Sequence, residues 1–159
     1  MYSLGIVLIL AFAIGFVGGL RSVTAPAVVA WAAHLGLLNL SQSKLAFMGS
    51  VWAVSILTLG ALGEFVADKL PSMSARTTVG PLVFRIVVGL LTGACFGIAG
   101  GVSPWAAALA GAIGGIVGAF AGYHARVGLV QSLKVRDFMI AVPEDLLAIG
   151  LGVLLVTRF

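Results

Sequence analysis

Long apolar runs separated by short polar stretches constrain this chain more than any other feature of its sequence. The first run, SLGIVLILAFAIGFV (residues 3–17), contains no charged side chain. Of the 159 residues, 61% are hydrophobic and 9% are charged, whereas a soluble domain carries about 25% charged residues. A soluble fold of this length could not bury so much apolar surface. We therefore expect a single integral-membrane domain covering residues 1–159.

The apolar runs predict an all-α, polytopic membrane helix bundle. A helix that spans a bilayer needs about 20 apolar residues, with about 17 to 25 tolerated. Reading between charges and helix breakers gives about six transmembrane segments: residues 4–20, 25–40, 45–67, 81–101, 104–123 and 138–156. The second segment is the shortest, reaching about 24 Å at 1.5 Å per residue. The sequence leaves three alternatives for it: a tilted helix, a re-entrant segment, or a kinked continuation of the first helix.

Lys and Arg are distributed unequally between the predicted turns. Seven of the nine lie in or beside the turns that follow the first, third and fifth segments: Arg21, Lys69, Arg76, Arg85, Arg126, Lys134 and Arg136. The opposite side has only Lys44 and Arg158. Because positively charged turns remain in the cytoplasm, we expect both termini outside. The same rule accounts for the net charge of +4 without a nucleic-acid partner.

Two short runs indicate an internal repeat. GFVGGLRSVTAP (residues 15–26) and FGIAGGVSP (residues 96–104) share a Gly-Gly pair, a polar break and a proline that opens the next apolar run. They would divide the chain into two inverted three-helix halves, residues 1–75 and 76–159, an arrangement that is common in transporters. Gly-Gly and Ser-Pro also occur at helix ends by chance, so a bundle without a repeat is the alternative.

Glycines form stripes on the fourth and fifth segments. One stripe has Gly89, Gly93, Gly97 and Gly101, a second has Gly111 and Gly115, and a third has Gly114, Gly118 and Gly122. Small residues let membrane helices approach closely. We expect the stripes to pack helices within the bundle, with the fifth segment at its centre; lining a pore or mediating a homo-oligomer are the alternatives.

The stretch GGLRSVTAPAVV (residues 18–29) places an arginine and two hydroxyl residues between apolar runs. We predict Thr24 as the N-cap of the second helix, with a proline in its first turn. The free backbone N–H groups, the Ser22 and Thr24 hydroxyls and Arg21 would together favour an anion. That anion is a lipid phosphate, a solute, or the carboxylate of Glu64 or Glu144 on a neighbouring helix.

Two acids lie at the end of the third segment, in GEFVADKLP (residues 63–71). Glu64 and Asp68 are four residues apart, so they repel each other on one helix face, and the helix C-terminus disfavours both. A cation between them would remove these penalties, and Arg21 and Arg85 are predicted at the same depth. Lys69 is expected to face water. Asp68 is expected either to pair with such a cation or to face water as well.

The run AVPEDLLAIG (residues 141–150) leaves two alternatives. If Pro143 lies in the first turn of the last helix, Glu144 and Asp145 only complement its dipole. If the helix begins at Asp137, Pro143 lies inside it and both acids enter the bundle. The complete candidate binding cluster is Arg21, Ser22, Thr24, Glu64, Asp68, Lys69, Arg85, Glu144 and Asp145.

The sequence contains no HExxH, CxxC, phosphate-loop or nucleophile-elbow motif. Its one cysteine, Cys95, excludes an intramolecular disulfide. We therefore expect no enzymatic activity, no cofactor and no metal. Membrane lipids are the expected partners.

GLRSVTAP, followed about forty residues later by GEFVADKLP, resembles a family of small bacterial multi-pass membrane proteins, domain-of-unknown-function family 4126. The most specific part is the pattern Glu-x-x-x-Asp-Lys-x-Pro, which is Glu64, Asp68, Lys69 and Pro71 here. The resemblance spans nearly the whole chain. It implies a protein of the bacterial inner membrane, with no activity to carry over.

Two function classes therefore compete, since a membrane enzyme has the weakest support. The first, which the sequence favours, is a transporter or channel for a small solute, with anions among the candidates, that uses Arg21, Glu64, Arg85 and Glu144. The second is a non-catalytic membrane scaffold or lipid-binding partner subunit. Charges that line a hydrated cavity would favour transport. Charges that close on each other in a dry bundle would favour the scaffold.

Overall fold

The computed structural model describes residues 2–67, 78–134 and 137–159, with only the backbone for residues 137 and 138. Its regular elements are helices, with no strand in these ranges. In chain order they are α1 (Leu4–Leu20), α2 (Thr24–His34), a short 3₁₀ helix (Ala46–Gly49), α3 (Val51–Ala67), α4 (Val79–Ala99), α5 (Pro104–Leu133) and α6 (Asp137–Thr157). The all-α prediction is confirmed, and the first segment has the bounds predicted for it.

Three described helices are long and apolar enough to cross a membrane: α4, α5, and α6 over Met139–Thr157. Helices α1 and α3 are also apolar but have 17 residues each. The predicted six spans are therefore supported for three helices by length and composition.

The prediction that the second segment extends to residue 40 is wrong. Helix α2 has 11 residues, so it is about 16 Å long. Gly36, with φ +77°, ends it in the left-handed conformation. The backbone N–H of Gly36 bonds to Ala33 O, and that of Leu37 bonds to Ala32 O at 2.8 Å. These two bonds are a Schellman motif, which satisfies the last carbonyls of the helix.

Helix α5 is ten residues longer than the predicted segment. It begins as Ser-Pro indicates, since the Ser103 hydroxyl accepts from the N–H of Ala106 and Pro104 occupies the first turn. It continues through His124 and Arg126 and ends at Leu133, and the C-cap residue Lys134 is left-handed with φ 51°. The prediction ended this helix at the first charged residues, but these residues have ordinary helix propensity and do not break a helix.

The middle helices are also where the two predicted repeat halves differ most, because α2 has 11 residues and α5 has 30. The inverted repeat stays a prediction.

Helices α1, α4 and α5 pack closely through glycines. A Cβ on Gly111 of α5 would clash with the carbonyl oxygen of Gly89 on α4, and one on Gly118 with that of Phe16 on α1. Gly101 is an exception to the predicted stripe, because it lies beyond the end of α4 in a turn with φ +68°. Helices α2 and α6 pack around this three-helix core, and α3 packs mainly on α2 and the 3₁₀ helix.

The first and last described residues meet at one end of the bundle, the terminal end. The ring of Tyr2 stacks on Phe159 with centroids 4.8 Å apart, and the Tyr2 hydroxyl donates to the Phe159 carbonyl. The opposite end, the polar end, contains the last turns of α1 and α3 and the first turns of α2, α4 and α6. Both ends of the chain therefore lie on one side of the bundle, and which side faces the cytoplasm stays a prediction.

Candidate functional site: a buried charged cluster at the polar end

Glu64, in the last turn of α3, closes the N-terminus of α2. Its Oε1 accepts from the backbone N–H of Ser22 at 2.8 Å and from the Ser22 hydroxyl, and its Oε2 accepts from the N–H of Val23 at 2.9 Å. The first N–H groups of a helix have no partner within the helix, and its dipole favours an anion there. Of the anions considered from the sequence, the structure puts a protein carboxylate at this turn.

Thr24 is not the N-cap, so that prediction is wrong. The N-cap is Val23, which makes no side-chain cap bond, and Thr24 is the first helical residue. The Glu64 carboxylate accepts hydrogen bonds from the backbone N–H groups at the start of α2, so the Thr24 hydroxyl does not cap this helix. Thr24 is 2% exposed, and its Oγ1 has no hydrogen-bond partner within the described ranges.

Arg21, directly after α1, is buried against α6. Its Nη2 forms an ion pair with Oδ1 of Asp145, and its Cζ lies 5.3 Å from the ring centroid of Phe65 on α3. The Arg21 side chain is 1% exposed and that of Asp145 is 12% exposed. Because a buried guanidinium without a counter-charge is strongly unfavourable, the ion pair with Asp145 stabilises the link between α1 and α2 against α6.

The run around Pro143 follows the second alternative from the sequence. Helix α6 begins at Asp137 and has Pro143 inside it, so Glu144 and Asp145 are both within the helix. Glu144 forms an ion pair with Arg126 of α5, with Nη1 and Oε2 3.6 Å apart and both side chains 12% exposed.

Arg85, in the second turn of α4, closes the C-terminus of α1. Its Nε donates to the carbonyl of Gly19 at 3.0 Å, and its Nη1 donates to the carbonyl of Pro81 at 3.2 Å. The last carbonyls of a helix lack partners within it, and a cation there is favourable. Arg85 is 6% exposed. The sequence predicted a cation between Glu64 and Asp68. Glu64 instead accepts hydrogen bonds from Ser22 and Val23.

Asp68 and Lys69 lie outside the described residues. The remaining seven candidates are at the polar end. Glu64 accepts from Ser22 beside Thr24, Arg21 pairs with Asp145, Glu144 pairs with Arg126, and Arg85 donates to the carbonyl of Gly19 near the end of α1.

The arginines at positions 21 and 85 lie well away from the ends of α5 along the long axis of the bundle. The backbone of Arg85 contacts Gly115 of α5, and Gly19 contacts Gly115 and Gly118. Along α5, these two glycines are about 17 and 21 Å from Pro104. Arg126 is about 33 Å from Pro104 along the same helix. The Arg126–Glu144 pair is therefore nearer the polar end than the arginines at positions 21 and 85.

No group of three or more His, Cys, Asp or Glu side chains that could hold a metal occurs in the part of the chain that the structure describes. The cluster instead uses arginine guanidinium groups, carboxylates and helix ends. These groups can neutralise one another or bind a charged group of a ligand.

Two members of the cluster were missed by sequence reasoning. Phe65 was read only as part of an apolar run, and Arg126 only as a marker of orientation. Phe65 follows the acid that caps α2, but one sequence offers no signal that its ring faces Arg21. Arg126 had a usable signal, because a cation near the end of one helix and an acid near the start of the next lie close together in a helical hairpin.

The fold and the site define a class: a small all-α protein with apolar helices whose charged groups pair at one end of the bundle. A family model described as Domain of unknown function (DUF4126) matches residues 8–157. The chain belongs to this family, so the resemblance seen in GLRSVTAP and GEFVADKLP is confirmed. No curated protein and no solved structure matched the chain.

Proposed function

We propose that this protein is a multi-pass protein of the bacterial inner membrane that acts as a non-catalytic scaffold. Helices long and apolar enough to cross a bilayer support the membrane location. The excess of Lys and Arg near the polar end supports a cytoplasmic location of that end, with both termini outside. The family resemblance supports the bacterial origin.

The buried Arg21–Asp145 ion pair is the observation that carries the proposal. Trp105, 82% exposed at the start of α5, suits a membrane interface. If the hydrocarbon begins there and is about 30 Å thick, Gly118, which packs against Gly19 of α1, lies about 10 Å inside the other boundary. Charges at such a depth are costly and need a partner. Arg21 is fully buried, which supports a role of its guanidinium in holding the bundle together.

The other buried contacts have the same structural character. Glu64 ties α3 to the start of α2, and Arg85 ties α4 to the end of α1. The apolar outer side of α3 is exposed, including Trp52 at 79% and Leu59 at 68%. A scaffold in which ion pairs hold the helices together would present this side of α3 to lipid or to a partner helix.

Transport is the second candidate. It is favoured by the shortness of α2, which has 11 residues, about half of what a membrane-spanning helix needs. Helix α2 separates the charged cluster from a cavity of about 620 Å³ at the terminal end, whose lining includes Asn39, Ser41 and Ser50. Interrupted helices flank the solute sites of many transporters. A pathway along α2 would require the Arg21–Asp145 pair to open.

A flux measurement on purified protein in liposomes decides between the two candidates. The panel contains small anions, small cations, neutral solutes and protons, with empty liposomes as the control. The scaffold proposal predicts no flux above that control, together with a lower folded yield of Glu64→Gln in detergent. A saturable flux that Glu64→Gln abolishes while its folded yield is unchanged would refute the scaffold and establish transport.

A further inference from the structure

The cavity of about 620 Å³ at the terminal end lies between the end of α2 and the start of α3. Ala33 and Gly36 line it from the last turn of α2 and the residues that follow, and Gly49 and Ser50 line it from the other side. Small-molecule sites have volumes of about 300–1,000 Å³. The cavity is therefore large enough for a small organic ligand.

The two sides of the cavity are joined by direct contacts. Nδ1 of His34, the last residue of α2, is 2.9 Å from the carbonyl oxygen of Gly49. Because a carbonyl oxygen only accepts, Nδ1 donates this hydrogen bond. A Cβ on Gly49 would lie 3.3 Å from the carbonyl of Ala33, so the two backbones are close there. These contacts preform the cavity.

The inner wall and the mouth of the cavity differ in polarity. Leu38 and Leu40 line it and are 1% and 3% exposed, so they form an apolar inner wall. Asn39 and Ser41 also line it but are exposed, so they lie at the mouth. A ligand would contact hydrocarbon side chains on one side and uncharged polar groups on the other.

Hydrogen bonds at the mouth determine which polar groups remain for a ligand. Oδ1 of Asn39 accepts from the backbone N–H of Ser41 at 3.2 Å and from the Ser41 hydroxyl at 2.7 Å. These bonds orient the amide, and its two N–H groups have no protein partner within the described ranges. Oγ of Ser41 keeps lone pairs that can accept. Oγ of Ser50 accepts from the N–H of Ala53 at 3.1 Å and keeps its O–H as a donor.

The cavity provides no counter-charge for an ion. Among the described residues that line it, none is Asp, Glu, Lys, Arg or His. The end of α2 and the start of α3 contribute partial charges of opposite sign, which favour neither a cation nor an anion. Transfer of an ion into such a site is unfavourable. A hydroxyl group both donates and accepts, so it matches the donors and acceptors that the lining presents.

We propose that this cavity binds a small neutral polyol of about the size of a monosaccharide. Asn39 and Ser50 donate hydrogen bonds to its hydroxyl oxygens, Ser41 accepts from one of its hydroxyl groups, and its C–H groups contact Leu38 and Leu40. The site is independent of the choice between scaffold and transport and of which end of the bundle faces the cytoplasm.

A ligand-detected NMR titration of the purified protein tests the site with glucose and myo-inositol as neutral probes. Glucosamine and glucuronate are the charged probes, and the detergent is an amine oxide, because glucoside and maltoside detergents contain sugars. Glucose should bind at least about fivefold more tightly than either charged sugar. Binding of neither neutral probe, or binding of a charged sugar that equals or exceeds that of glucose, would overturn the proposal.

Asn39→Asp changes the chemistry of the site and keeps its local structure. The new carboxylate still accepts both bonds from Ser41, but it replaces two N–H donors with a negative charge. Glucosamine should bind this variant about tenfold more tightly than it binds the wild type, because a hydrogen bond between charged groups is stronger than one between neutral groups.

Gln42→Glu is the matched control for this variant. Gln42 is exposed in the same link between α2 and α3 and is not part of the cavity lining among the described residues. The same change of charge there should leave the binding of all four probes unchanged. An unchanged affinity of Asn39→Asp for glucosamine, or an equal gain in Gln42→Glu, would refute the assignment of Asn39 to a binding site.

Discussion

Replacing Asp145 by asparagine removes the charge that faces Arg21 and preserves the shape of the side chain. The guanidinium of Arg21 is 1% exposed in the folded protein, so water cannot replace the carboxylate. Breaking a buried ion pair at one partner costs about 3–5 kcal/mol. The ring of Phe65 at 5.3 Å faces Arg21 with or without the carboxylate, so this cation–π contact does not replace the lost charge. We expect Asp145→Asn to lower the free energy of unfolding by about 3 kcal/mol, more than a hundredfold in the folded-to-unfolded ratio.

Glu144→Gln is a matched control for this variant. The two acids are neighbours on α6, and each side chain is 12% exposed. Their partners differ, since the Arg21 side chain is 1% exposed and that of Arg126 is 12% exposed at a distance of 3.6 Å. The longer separation and the greater exposure of Arg126 predict a smaller effect for Glu144→Gln than for Asp145→Asn.

Reversible unfolding in mixed detergent micelles, followed by circular dichroism, measures both variants under one set of conditions. The burial of the arginine partner predicts that Asp145→Asn lowers the free energy of unfolding more than Glu144→Gln does. Equal effects of the two substitutions, or a larger effect of Glu144→Gln, would show that burial of the arginine does not set the cost.

Three further predictions follow from the fold and the site. Glu64→Gln weakens the cap of α2 and should cost about 1–2 kcal/mol in the same unfolding assay; an unchanged stability would contradict the capping role. Gly111→Ala forces a Cβ against a backbone carbonyl of α4 and should cost about 2 kcal/mol or more, whereas Gly128→Ala in open space should be neutral or stabilise α5; similar stabilities of the two variants would contradict the packing of α5. Single cysteines at Ser41 and Ser132, in a background without the native cysteine, should react with a membrane-impermeant maleimide at position 41 in intact spheroplasts and at position 132 only after lysis; the reverse pattern would invert the orientation.

Local signals in the sequence predicted much of the fold. The bounds of α1 and the start of α5 at Ser-Pro follow from hydrophobicity and capping chemistry, which act within a few residues. The end of α2 at Gly36 was also readable, since glycine often occupies the left-handed position after a helix. Apolar residues follow Gly36, so a reading by hydrophobicity alone extends the predicted segment to residue 40 and overlooks this helix end.

The pairing of the charged groups was much less predictable. The sequence indicated that Arg21 and Glu64 lie near the same end, but it offered several anions for each arginine. The choice of Asp145 for Arg21 depends on the rotation of α6 about its axis, which is set by packing against α1 and α2. The role of Glu64 depends on where α2 begins, and there a carboxylate from α3 replaces the predicted cap by Thr24.

A double-mutant cycle on Arg21 and Asp145 tests most directly whether their buried ion pair holds the bundle together. Arg21→Met and Asp145→Leu each remove one member of the buried ion pair, whereas the double variant replaces the pair with apolar side chains. We expect the double variant to have a higher free energy of unfolding than either single variant in the same detergent. Penalties that simply add, leaving the double variant as the least stable of the three, would contradict it.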